Sequence, residues 1–108
     1  MILYIHKEVV NMKTTLHSTR KYAGEEYKFF INEPEYAGEV GICGIEITPY
    51  IHVETPENCF GYADTVLMDM NSRKVYTLHR YLQPWIKEKI KAHMLKIEEE
   101  FWKNLYER

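Results

Sequence analysis

"PWIKEKIKAHMLKIEEEFWKNLYER", residues 84 to 108, runs to the end of the chain with no glycine and no proline beyond its first residue. Pro84 suits a first helical position, because its missing N–H would have no partner there and its fixed φ is already helical. The stretch is predicted to form one long helix. At 100° per residue, Ile86, Ile90, His93, Met94, Ile97, Phe101 and Leu105 fall within about 120° of one another, an apolar stripe wide enough to cover a sheet.

The residues before it supply that sheet. From Thr14 to Gln83 the pattern is period-two alternation rich in Tyr, Ile, Val and Thr, cut by turn residues about every ten positions, as in an antiparallel sheet. Five strands are expected, at 14–22, 26–32, 42–53, 62–70 and 74–82, with the leader "MILYIHKEVVNM" (1–12) as a sixth. Ala23-Gly24-Glu25 and Asn71-Ser72 close hairpins, and Pro34, Pro49 and Pro56 mark strand ends or a bend. The fold class is α+β: an antiparallel meander of about five strands, then one long C-terminal helix packed on one face.

With 108 residues, 45% apolar and 28% charged, the chain has the composition of one ordinary globular domain spanning 1–108, with the sheet at 13–83 and the helix at 84–108. His6, Lys7 and Glu8 interrupt the leader and no small-residue cleavage site comes after it, so it reads as a strand rather than a signal peptide; Met12 offers an alternative start. No apolar stretch approaches the length of a membrane span, and a cytoplasmic location is expected.

The motifs that would announce chemistry fail on spacing. Gly38, Gly41 and Gly44 sit at three-residue intervals in "GEVGICGIEI", but the next residues, Ile45-Glu46-Ile47, are strand-like, and the loop carries Glu39 and no cation, so it would repel a phosphate. The "GEVG" and "GICG" tetrads match a nucleic-acid-binding loop that joins two helices, and no helix is expected on either side. These glycines read as a turn and a bulge entering a bent strand. Cys43, His52 and Cys59 match no zinc spacing, the histidines at 6, 17, 52, 79 and 93 never pair at i, i+2 or i, i+4, and His93 belongs to the sheet-facing stripe. The cysteines read as free thiols, and no metal or cofactor is expected.

The hairpin around Asn71-Ser72 gives a sharper idea. A tight turn there pairs Met68 with Val75, Val66 with Thr77 and Asp64 with His79, and an Asp beside a His is half of a general acid/base device. Asp64 and His79 are weak catalytic candidates; the pair serves equally as a plain cross-strand contact.

Two features exceed a bland globular reading. Leu95, Trp102 and Tyr106 form a second apolar row on the helix, opposite the first stripe, and Trp and Tyr are enriched in interface hot spots. Charge is segregated as well: residues 25–69 hold ten acidic residues against Lys28 alone, while residues 73–96 hold seven basic residues against Glu88 alone. Within the helix, Lys87, Lys89 and Lys91 lie toward the N-terminus and Glu98, Glu99 and Glu100 toward the C-terminus, the reverse of what the helix dipole favours.

The expected function is that of a small non-enzymatic protein–protein interaction module, an inhibitor or accessory protein of phage or mobile-element type. It would form a homodimer through Leu95, Trp102 and Tyr106 and present Glu33, Glu35, Glu39, Glu54 and Glu57 to a basic partner. The alternative is an RNA- or single-strand-binding domain, ribonuclease-like, in which Arg73, Lys74, Tyr76, His79 and Arg80 hold phosphates and stack bases.

Overall fold

The computed structural model describes residues 2–5, 8–35, 48–57, 65–77 and 82–107. Six strands, β1 (Ile2–Ile5), β2 (Glu8–Tyr22), β3 (Glu25–Pro34), β4 (Tyr50–Glu54), β5 (Thr65–Asp69) and β6 (Val75–Thr77), precede the helix α1 (Pro84–Tyr106). They succeed one another in sequence order across the sheet, each antiparallel to the last. The chain is thus an α+β meander with a C-terminal helix.

Strand bounds differ from those expected at both ends of the sheet. The leader is not one strand: β1 ends at Ile5, and Glu8 already opens β2, which continues to Tyr22. The strand expected over 42–53 is Tyr50–Glu54 among the described residues, since 36–47 lie outside them; the three-glycine stretch and Cys43 lie there too. Pro49 adjoins β4, and its carbonyl accepts the Met70 N–H at 3.1 Å.

Register arranges the side chains in rows. Facing the helix, Phe29, Val53 and Val66 are directly opposed, as are Ile31, Ile51, Met68 and Val75. The stripe Ile86, Ile90, Met94 and Ile97 lies on these rows, and all but Ile31 and Val75 are buried. His93 and Phe101 are half-buried at its margin, and Leu105, placed on the stripe by periodicity, is 41% exposed, so the covered face ends at Phe101.

Two turns fix the register. Ala23 (φ 54°) and Gly24 (φ 78°) both adopt left-handed backbone between the paired Tyr22 and Glu25, giving a two-residue turn where three residues were expected. Positive φ at two successive positions matches the twist of the flanking strands. At the β5–β6 hairpin, the Asp69 N–H donates to Lys74 O (3.0 Å) and the Arg73 N–H to Asp69 O (2.8 Å). Asp69 Oδ1 also accepts from the N–H groups of Asn71 (2.8 Å) and Ser72 (3.3 Å). The turn therefore spans residues 70–73 rather than Asn71-Ser72 alone, yet Met68 still faces Val75 and Val66 faces Thr77.

Ala23 is strained, because a Cβ disfavours left-handed backbone that glycine or asparagine adopts readily. Replacing Ala23 with Asn should stabilise the protein by about 0.5–1 kcal/mol and raise Tm by several degrees. An unchanged or lower Tm in thermal unfolding would contradict this turn.

Candidate interaction site

The last turns of α1 and the β5–β6 turn enclose an open cleft of about 560 Å³ lined by Met70, Asn71, Arg73, Glu98, Trp102 and Tyr106. Helical geometry makes one wall, since residues 98, 102 and 106 stand at i, i+4 and i+8. The hairpin makes the other, with Arg73 held at φ 60° by the turn. Glu98 flanks the apolar stripe, and its side chain is only 3% exposed, unusual for a carboxylate. Arg73, 60% exposed, answers it: its Nε–H donates to Glu98 Oε1 at 3.2 Å and lies 3.1 Å from Oε2. Oε2 has no hydrogen-bond donor of its own among the described residues. The contact orients the guanidinium and leaves most of it open to the cleft.

This cleft gathers three residues singled out in the sequence for different reasons. Trp102 and Tyr106 come from the second helical row, Arg73 from the basic strand. Leu95 and Trp102 are half-buried and pack against the core, whereas Tyr106 is 83% exposed. Lys74 and Tyr76 are exposed on the same hairpin; Asp64, His79 and Arg80 lie outside the described residues.

The acidic candidates do not share a face. Glu33 lines a second cleft, about 250 Å³, between β2 and α1 with Ile97, Glu100 and Phe101; Glu54 lies on the opposite side of the sheet beside His52; Glu35 and Glu57 are exposed. Glu39 lies outside the described residues.

Two arrangements had no signal in the sequence. The first is a polar chain under the helix. A bulge in β2 between Leu16 and Ser18 lets the successive residues His17 and Ser18 both reach toward α1, although neighbours in a regular strand point apart. Ser18 Oγ lies 2.9 Å from His17 Nδ1 and 2.8 Å from His93 Nε2, and His17 Nε2 lies 3.5 Å from Glu100 Oε2. Burial holds the His93 imidazole down to a pKa of about 4, helped by the positive charges of Arg20, His17 and Lys96 and opposed by Glu100. A neutral His93 suits its contacts, edge-on to Phe29 with ring centroids 4.5 Å apart.

The second is a row across the sheet face opposite the helix. Leu16, Phe30, His52, Leu67 and Tyr76 are opposed strand by strand from β2 to β6. Phe30 stacks on His52 at 4.8 Å. The Thr14 hydroxyl donates to Asn32 Oδ1 (2.6 Å), and Asn32 Nδ2 donates to His52 Nδ1 (2.7 Å), which fixes that ring nitrogen as an acceptor. Burial lowers the His52 pKa in the same sense. The ends of the row are open, with Leu16 at 52% and Tyr76 at 54% exposure.

Among the described residues no cluster of three or more His, Cys, Asp or Glu could hold a metal ion, and no helix is long and apolar enough to cross a membrane. No protein-family model, curated protein or solved structure matches the chain.

Removing Arg73 strands a buried carboxylate, so Arg73→Ala should destabilise by about 1–3 kcal/mol. Replacing both partners, as in Arg73→Ala with Glu98→Leu, should recover most of that loss in denaturant unfolding. Equal or additive losses would show that the pair is not coupled. His93 gives a pH signature. Its native pKa is depressed, so protons bind the unfolded chain preferentially between the ordinary imidazole value and about 4. Its contribution is intact at neutral pH, declines as pH falls through that window and levels off below it. The stability-versus-pH slope there should be shallower in His93→Gln; an identical slope would remove His93 as its source.

Proposed function

We propose that the protein is a small non-enzymatic interaction module whose docking surface is the outer side of α1 together with the cleft at its C-terminal end. One observation carries this: Arg73, Trp102 and Tyr106, the three residue types most enriched in binding hot spots, line a single cleft, with Arg73 already oriented by a buried carboxylate. An arginine fixed before binding loses less side-chain entropy when a partner arrives. Glu35, Glu54 and Glu57 are exposed but lie away from this surface, so they would draw a basic partner at long range rather than contact it, in keeping with an inhibitor or accessory protein of phage or mobile-element type. A photo-crosslinking amino acid in place of Tyr106 should yield a defined adduct in cells, weakened when Trp102→Ala is added. Absence of any adduct would contradict the proposal.

A second reading draws on the sheet face opposite the helix. Aromatic rings across strands, with Tyr76 exposed beside Lys74, are how single-stranded nucleic acids are stacked and held. If this face binds nucleic acid, material absorbing at 260 nm should travel with the protein at low salt and leave at high salt through counterion release, and Tyr76→Ala should reduce it. A preparation free of nucleic acid at low salt would sink this reading.

A further inference from the structure

Along its length, α1 carries a charge order that its own dipole disfavours. The first helical turn holds no acidic residue, the N-terminal half carries Lys87, Lys89 and Lys91, and Glu98, Glu99 and Glu100 occupy the C-terminal half. Carboxylates near a helix N-terminus and cations near its C-terminus would be favoured by the dipole. Glu98 is used by Arg73 and Glu100 lies beside His17, but Glu88, Lys91, Glu99 and Lys103 have no ion-pair partner within 4.0 Å among the described residues. At 100° per residue, Glu88, Leu95, Glu99, Trp102 and Tyr106 fall within about 60° of one another, with Lys91 and Lys103 on the two flanks; Glu88, Glu99 and Tyr106 are exposed, and Leu95 and Trp102 are half-buried at the edge toward the core.

Resting on the interaction reading of this same face, we propose that its occupant is a second copy of the chain, with the two α1 helices antiparallel and crossing near Leu95 and Lys96. In that register Glu88 meets Lys103 of the other copy, Lys91 meets its Glu99, and Trp85, 46% exposed, meets Tyr106. Two-fold symmetry makes every such pair occur twice. A parallel arrangement would set Lys91 on Lys91 and Glu99 on Glu99, which charge repulsion opposes. The antiparallel pair also aligns the helix dipoles head to tail, so a charge order that is unfavourable alone becomes complementary in the dimer.

The test is sedimentation velocity at micromolar to submillimolar concentration, with circular dichroism confirming that each variant is folded. The wild type should dimerise. Glu88→Lys and Lys103→Glu should each weaken the dimer, by about tenfold for a reversed pair formed twice, and both changes in one chain should restore it. Restoration would support the antiparallel register. Failure to restore overturns it, and in that case a dimer still lost in Tyr106→Ala would leave the docking face itself standing. A wild type that stays monomeric throughout overturns self-pairing, while an adduct between the Tyr106 photo-crosslinker and another protein would preserve the interaction reading.

Discussion

Everything in this structure depends on one burial event: the stripe Ile86, Ile90, Met94 and Ile97 lying across two apolar rows of the sheet. A short antiparallel sheet is marginal alone, and so is an isolated helix whose stability must come from tertiary packing. Each supplies the surface the other lacks. Because the helix is a single run entered through Pro84, seating its first half on the sheet also determines where its last turns go. Those turns bring Glu98, Trp102 and Tyr106 against the β5–β6 hairpin.

The hairpin is matched to that position from its own side. Asp69 ties down the turn through its carboxylate, Arg73 takes a left-handed conformation, and the guanidinium reaches the one carboxylate buried on the helix among the described residues. A buried charge without a partner is costly, so the cleft is organised by necessity rather than by chance proximity. The bulge in β2 has the same logic on the other flank, where it lets two adjacent polar residues approach His93 beneath the helix.

Much of this architecture was legible in the sequence because it rests on local patterns: period-two alternation for the strands, an uninterrupted 3.6-residue period for α1, and a polar turn whose flanks set the Met68–Val75 register. What escaped notice depends on contacts between distant residues. Glu98 sits in a run of three glutamates that looks solvated, and only the hairpin's arrival shows that one of them is buried. A bulge adds a residue without disturbing composition, so His17 and Ser18 gave no sign of sharing a face. The row on the sheet face opposite the helix needs four strand registers at once. Leu105 errs in the other direction, since periodicity places it on the stripe while the covered face ends at Phe101.

If α1 fastens the sheet with one face and meets its own copy with the other, as proposed, the two contacts report separately in solution. Amide NMR spectra recorded across a dilution series distinguish them residue by residue. Self-pairing through α1 requires concentration-dependent shifts concentrated at Glu88, Leu95, Glu99, Trp102 and Tyr106, with the sheet unchanged. Spectra that do not change with concentration, or shifts centred on Leu16, Phe30 and Tyr76, would refute it.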